Sequence, residues 1–268
     1  MGVEELENYI TKKKGEEMKK ELVQKQEAGA LVSITEEELA QSYGDFGADH
    51  ISIPRLVILE GLSDEIRERK GSPGDLFIKT LNRNLGESTE IVVITRMHQQ
   101  LRWTPKAQGK GILCQAQDGK HGAGDPGGDC AVCPQRQWSG KNPPACDQLE
   151  SFIVVLREDL KNGEAFPLAI SGGKTKLKGL KAFNTLLMQL AQRRLPLFAK
   201  AFKVSVVEKQ NDKGTFHVFA FETANDNKQL PVEEQRLAYQ LLKSFGNKKI
   251  VIDPEQEPTS PAAEDLEI

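Results

Sequence analysis

The sequence predicts a β-rich α+β fold: an OB-like barrel with an inserted zinc-binding loop, flanking helices and disordered termini. Two observations predict the barrel. Apolar, β-prone segments separated by turns rich in Gly, Asn and Asp recur between residues 53 and 223, and one helical segment lies among them. A third observation predicts the loop, because all four cysteines lie in one Gly-rich stretch, residues 114–146.

Composition divides the chain into three parts. Residues 1–49 form a charged arm in which Glu and Lys recur at helical spacing with few apolar positions; an exposed helix and an arm that orders only on binding both fit this pattern. Residues 50–245 are predicted to form the folded core, with the zinc loop at 111–148. Residues 246–268 form an acidic tail, which its acids and prolines predict to be disordered.

The predicted strands are apolar runs, rich in β-branched or aromatic residues and bounded by turn residues. They cover residues 53–59, 76–78, 90–95 with an extension to 103, 111–114, 151–156, 165–170, 201–207 and 215–223. The segments 151–156 and 165–170 are expected to pair as a hairpin, and so are the last two segments. The last two carry alternating apolar residues: Phe202, Val204 and Val206, then Phe216, Val218 and Ala220.

Two helices are predicted by apolar residues that recur every three or four positions. The first covers residues 175–193 and carries an apolar face made of Leu177, Leu180, Phe183, Leu187 and Leu190. The second covers residues 231–245 and packs through Leu237 and Leu241.

The cysteines have the spacing C-x15-C-x2-C-x12-C. Cys130 and Cys133 can direct two thiolates at one metal from a tight turn, and Cys114 and Cys146 can complete a tetrahedral structural zinc site. The first 25 residues are charged throughout and contain no apolar core of a secretory signal. We therefore expect a reducing compartment, which favours metal over the alternatives of two disulfides or unrelated thiols. His121 lies in the same loop and is an alternative ligand to one of the cysteines.

The charge is distributed unevenly, which the net value of −3 conceals. Residues 253–268 contain six acids and no Lys or Arg, which leaves 36 basic against 33 acidic residues in the rest of the chain. Two windows contain no acid: residues 165–207 with eight basic residues, and residues 91–117 with four. These windows predict one positive surface, although a solvated helix face gives the same pattern.

A single-strand binder needs cations that follow the phosphates and flat side chains on which bases stack. The stacking residues are predicted to be Trp103 and Trp138, because strand phenylalanines belong more often to a core. The predicted cations are Arg96, Arg102, Lys106, Lys110, Arg136, Lys174, Lys178, Lys181, Arg193 and Arg194. The sequence contains no helix-turn-helix, no zinc finger built from a cysteine pair and a histidine pair, and no basic zipper, so we do not expect groove reading of double-stranded DNA.

Several segments resemble a group of bacteriophage and prophage proteins. They are Ile53-Pro54-Arg55-Leu56, Lys70-Gly71-Ser72-Pro73-Gly74-Asp75, and Gly124-Asp125-Pro126-Gly127-Gly128-Asp129-Cys130-Ala131-Val132-Cys133-Pro134 with Trp138. In overall plan the chain also resembles phage single-stranded DNA-binding proteins. That resemblance implies a basic OB-type barrel, an acidic tail that recruits polymerase or helicase and, as in the T-even-phage member, a structural zinc. The ligands of that member include a histidine, whereas four cysteines suffice here.

The expected function is therefore non-enzymatic: the protein coats single-stranded DNA in phage replication or recombination, and its acidic tail recruits replication and recombination proteins. The alternative is a zinc-stapled phage factor that binds RNA polymerase or another replication protein. An enzyme is the third and least favoured possibility. The sequence contains no Gly-rich phosphate loop, nucleophile elbow or His-Glu-x-x-His motif, which would favour one. No apolar run reaches the roughly 20 residues of a membrane helix. We expect a soluble protein of the cytoplasm, the host cytoplasm if it is phage-encoded.

Overall fold

The computed structural model describes residues 52–105, 111–211, 214–224 and 227–245, with the backbone alone for residues 174 and 175. These residues belong to one compact unit, and they form antiparallel sheets with a few helices, as the α+β prediction requires. The predicted N-terminal arm, 1–49, and the predicted acidic tail, 246–268, lie outside the described residues.

The smaller sheet is antiparallel and has the strand order β1-β2-β3. Its strands are β1, Leu56–Ile58, β2, Leu76–Ile78, and β3, Arg83–Gly86. The residues of β1 and β2 are all buried, which explains why both are uninterrupted apolar runs. The short helix α1, Asp64–Arg67, lies between them.

The larger sheet is organised around β4, Ser88–Trp103, a strand of 16 residues. Strand β8, Cys146–Leu156, pairs with β4 along one side, from Ile91 to Arg102. The other side is shared: β10, Ala201–Asn211, pairs with the beginning of β4, and β5, Ile112–Ala116, pairs with its end.

The remaining strands extend this sheet outward. Strand β9, Leu168–Gly172, pairs with β8, and β11, Gly214–Thr223, pairs with β10. Strands β6, His121–Gly124, and β7, Gly128–Asp129, continue from β5.

The predicted closed OB-like barrel is not formed by the described strands. The hydrogen-bonded path runs β11-β10-β4-β5-β6-β7 with β8 and β9 as a branch, and its ends do not meet. Strand β4 pairs with β10 and β5 on one side and with β8 on the other, so the sheet branches there. Its outer strands β7, β9 and β11 each pair with a single strand of this sheet, and no hydrogen-bonded ladder between described residues joins them into a barrel.

One core lies between the sheet and helix α3, Lys174–Gln192. Leu180, Phe183, Leu187 and Leu190 are buried on the face of α3 that the sequence predicts. The ring of Phe183 lies at the centre: its centroid is 5.0 Å from that of Phe152, 5.1 Å from that of Phe202 and 4.0 Å from that of Phe221.

A second core contains Val92, Ile94, Ile153 and Val155, whose neighbours along β4 and β8 belong to the first core. Helices α2, Arg157–Lys161, and α4, Val232–Phe245, complete the described secondary structure on this side. Buried Arg157 connects these elements, because it donates hydrogen bonds to Glu90 on β4 at 2.7 Å and to Glu234 on α4 at 3.2 Å. Helix α4 is therefore attached to the sheet by an ion-pair network as well as by apolar contacts.

Candidate functional site

A groove of about 620 Å³ lies between helix α3 and the hairpin of β10 and β11. Its lining is mostly apolar or aromatic and includes Leu186, Val207, Phe216, Ala220 and Phe221. Lys178 on the helix and Lys209 on the hairpin also line it, and none of the lining residues that the structure describes is acidic. The groove thus combines aromatic rings with cations contributed by two different elements.

The register of the hairpin places the groove residues. Phe219 and Phe221 are opposite Val206 and Val204 on β10 and pack against the first core. Because successive residues of a strand point to opposite faces, Phe216 lies on the other face, where it is directly opposite Lys209. The lysine stem and the phenylalanine ring are therefore neighbours across the two strands.

The other wall of the groove depends on Gly179. A Cβ atom at this position would lie 2.5 Å from the backbone carbonyl oxygen of Phe219, so α3 can approach β11 this closely only with glycine. Phe183 on α3 and Phe221 on β11, which also line the groove, stack nearly parallel to each other, with an interplanar angle of 8°. The helix and the hairpin are consequently held together at the base of the groove.

The two arginines of the acid-free window 91–117 are both engaged with acids from elsewhere in the chain. The Arg96 Nε atom donates to Glu150 on β8 at 3.2 Å, and Arg102 donates to Asp125 at 3.2 Å. In the other window, Lys203 forms an ion pair with Glu222 at 3.4 Å, and Lys200 is buried and donates to Asn227 at 2.6 Å. An acid-free stretch of sequence is therefore not an acid-free surface.

Glu150 is the centre of a buried polar network on the face that continues the first core. Its carboxylate binds Arg96, His98 at 2.7 Å and Asn184 of α3 at 3.3 Å. Burial raises the pKa of Glu150, but the hydrogen bonds from Arg96, His98 and Asn184 outweigh burial and leave the pKa below its usual value. Glu150 is therefore a carboxylate that holds β4, β8 and α3 together.

The other predicted cations have different surroundings. Lys178, Arg193 and Arg194 are exposed and form no ion pair with a described residue. Lys181 is exposed and donates to Gln148 at 3.4 Å, and Arg136 donates to the carbonyl oxygen of Cys130 at 3.0 Å. Lys106, Lys110 and the side chain of Lys174 lie outside the described residues.

Neither tryptophan lines the groove. Trp103 is 37% exposed at the end of β4, and Trp138 is 67% exposed on the cysteine loop. Of the predicted nucleic-acid residues whose side chains the structure describes, only Lys178 lines the groove, while Lys209 and Phe216 were not predicted. The signal for Phe216 was present in the alternation of Phe216, Val218 and Ala220, but its interpretation required the register with β10.

The four cysteines line a second, small cavity together with Arg102 and Arg136. Cys114 on β5 and Cys146 on β8 are both register partners of Arg102 on β4, one on each side of it. Cys130 and Cys133 come from the turn that follows β7, and all four thiols are free. No group of three or more His, Cys, Asp or Glu side chains in the described ranges already has a metal-binding arrangement.

The thiols of this cavity influence one another. Burial, followed by the neighbouring thiols Cys130, Cys133 and Cys114, raises the pKa of Cys146 to about 11, and burial also raises the pKa of Cys130. His121 does not line the cavity: its Nδ1 atom is 2.7 Å from Asp118, and its side chain is largely exposed. The hydrogen bonds from the backbone and ring of His121 lower the pKa of Asp118.

A family model described as Pam3 phage gp34-like protein matches residues 23–261. The chain belongs to this family. A Pam3 phage gp34-like protein is a phage protein, which agrees with the phage resemblance of its sequence. No curated protein and no solved structure matches this gp34-like protein. Within its described residues, no helix has both the length and the apolar character needed to cross a bilayer.

Proposed function

We propose that this gp34-like protein is a non-enzymatic single-stranded DNA-binding protein that covers single strands during phage replication or recombination. The observation that carries the proposal is the groove between α3 and the β10–β11 hairpin, with aromatic and apolar lining, Lys178 and Lys209, and no acid among its described lining residues. Single strands are bound by this combination, because bases stack on aromatic rings while cations follow the phosphates.

The groove changes which residues are proposed to contact DNA. Phe216 takes the stacking role that the sequence assigned to the tryptophans. Lys178 and Lys209 are the phosphate-binding cations of the groove, and exposed Arg193 and Arg194 continue the path at the end of α3. Arg96 and Arg102 receive structural roles instead, because each forms an ion pair with an acid.

The acidic tail contributes by competition. Residues 253–268 carry six acids and no Lys or Arg, so the tail is electrostatically complementary to the groove lysines. DNA phosphates displace the tail, which then becomes accessible to replication and recombination proteins.

The test is fluorescence anisotropy with a labelled oligothymidine, titrated at several salt concentrations. The double variant Lys178→Ala, Lys209→Ala should bind more weakly, and its salt slope, d log K/d log[salt], should be smaller by about 1.4, because two phosphate contacts are lost. Phe216→Ala should weaken binding about tenfold at every salt concentration, since one stacked base contributes about 1–3 kcal/mol.

The matched control is Lys161→Ala, Lys243→Ala, which removes two exposed lysines that do not line the groove. This variant should keep the wild-type affinity and salt slope. The proposal is wrong if the wild-type protein does not bind the oligonucleotide at low salt, or if both double variants change binding equally.

A second candidate function rests on a different surface. Val132 and Trp138 are 73% and 67% exposed on the cysteine loop, and exposed large apolar residues are typical of protein contacts. A replication protein or RNA polymerase bound here should remain bound to the gp34-like protein after nuclease treatment. It should be lost from the variant Val132→Ser, Trp138→Ser but not from Phe216→Ala. A partner that nuclease releases would instead be held through nucleic acid.

A further inference from the structure

We propose that Cys114, Cys130, Cys133 and Cys146 bind a structural zinc ion that cross-links β5 and the turn after β7 to β8, and so stabilises residues 111–145. This site is independent of the DNA-binding proposal. The first observation is that this segment has almost no core. Ala116, Gly119 and Cys130 are its only buried residues among those described, and none of its residues belongs to either hydrophobic core.

A segment of this length without a core needs another source of stability. Burial of apolar side chains normally offsets the conformational entropy that a segment loses when it becomes ordered. Here the segment is nevertheless organised into β5, β6 and β7. The backbone N–H of Cys130 donates a 2.7 Å hydrogen bond to the backbone carbonyl oxygen of Lys120. A metal bound by thiolates can supply the missing stabilisation.

The second observation is that distant parts of the chain bring their thiols to one cavity. Cys114 comes from the first strand of the segment, Cys130 and Cys133 from its turn, and Cys146 from the first residue of β8. Cys130 and Cys133 have the C-x2-C spacing of structural zinc sites, and the chain around them turns tightly: Asp129 accepts a hydrogen bond from the N–H of Ala131 at 2.8 Å, and a 3-10 turn, Pro134–Arg136, follows Cys133.

The third observation is the charge around the cavity. Four thiolates and one zinc ion carry a net charge of −2. Arg102 and Arg136 both line the cavity and offset this charge. The other metal-binding side chains of the loop are occupied, since His121 interacts with Asp118 and Asp125 accepts a hydrogen bond from Arg102. The ligand set is therefore four cysteines, which suits a closed structural site.

The thiols must move towards one another to coordinate the ion, because the described structure does not already place three ligands in a metal-binding arrangement. Glycine permits this approach. A Cβ atom at Gly122 would lie 2.8 Å from the Cys114 sulfur, so a larger residue would obstruct the cavity. None of the four cysteines belongs to either hydrophobic core, so this approach does not require a core residue to move.

The experiment measures metal in the full chain, purified with a reductant and without chelator. Elemental analysis should find one zinc ion per chain. Cobalt exchanged into the site should show the thiolate charge-transfer and d–d absorption bands of a tetrahedral site. Cys133→Ser and Cys146→Ser should each lose most of the metal, and the matched loop variant His121→Ala should retain one ion per chain. Far-UV circular dichroism establishes that each variant is folded.

A second measurement uses the wild-type protein, so it does not depend on whether a variant folds. Removing zinc with a chelator should make residues 111–145 sensitive to limited proteolysis, and adding zinc back should restore protection. The proposal is overturned if the reduced protein contains no zinc and binds no added zinc or cobalt. It is also overturned if His121→Ala loses the ion while Cys146→Ser keeps it. Disulfides in the protein purified without reductant, with no zinc bound after reduction, would identify the cysteines as redox-active instead.

Discussion

Replacing Glu150 with glutamine should lower the free energy of unfolding by about 3 kcal/mol at pH 7. The side chain of Glu150 is 3% exposed, and its charge is balanced by Arg96. Glutamine preserves the shape but removes the charge, and its amide group presents a donor to the donors of Arg96, His98 and Asn184. Breaking a buried ion pair costs about 3–5 kcal/mol. The lower value applies because Arg96 is 46% exposed and solvent screens part of the interaction.

The assay is urea unfolding followed by circular dichroism. With an m value of about 2 kcal/mol/M, the midpoint should fall by about 1.5 M urea. The control is Glu158→Gln, which changes an exposed carboxylate 3.5 Å from Arg83 and should cost about 0.5 kcal/mol or less. Equal, small shifts for both variants would refute the reasoning.

The pH dependence provides an independent check. The pKa of Glu150 is lower in the folded protein than its usual value of 4.5, so its contribution to stability is complete well above that value. The contribution is lost as the pH falls through the folded pKa. The difference in unfolding free energy between wild type and Glu150→Gln should therefore be largest at neutral pH and should narrow below about pH 4.5. A difference that widens on acidification would show that the carboxylate is not held in its charged form.

Three further predictions concern the core, the groove and the tail. Phe183→Ala should destabilise the protein by about 3–5 kcal/mol in the same urea assay, because it removes a fully buried ring in contact with three other rings. Gly179→Ala should cost about 1–3 kcal/mol and weaken oligonucleotide binding, since the new methyl group separates α3 from β11; unchanged stability would contradict the close approach. Removing residues 253–268 should tighten binding to oligothymidine in the anisotropy titration, and an unchanged affinity would argue against the tail as a competitor.

Local patterns were sufficient to predict many of the elements. Strand β2 has the predicted bounds, and the predicted helix at 175–193 corresponds to Lys174–Gln192. The pairing of β8 with β9 was also predicted, although helix α2 between them was not. These elements succeed because apolar periodicity over five to twenty residues reflects which face is buried. The prediction of a closed barrel was wrong because the pairing of β4 with its three neighbours depends on residues far apart in the chain.

The candidate site shows the same division more sharply. The prediction of a positive surface rested on the absence of acids from residues 91–117. In the structure, acids from outside this window pair with its arginines: Glu150 with Arg96, and Asp125 with Arg102. Phe216 became part of the groove only through its register with Lys209, and the approach of α3 to β11 at Gly179 supplied the second wall. The ion pairs, the register of Phe216 and the close approach at Gly179 all depend on tertiary contacts, which a local sequence pattern does not determine.

The sequence by itself determined the elements with strong local periodicity, the phage resemblance and the unusual spacing of four cysteines in a segment with few apolar residues. Only the tertiary structure decided that the sheet stays open, that the four thiols surround one cavity, and which cations remain available for a ligand. The reason is physical. Periodicity and spacing are properties of neighbouring residues, whereas strand register, ion pairing and cavity formation depend on which distant surfaces the cores bring into contact.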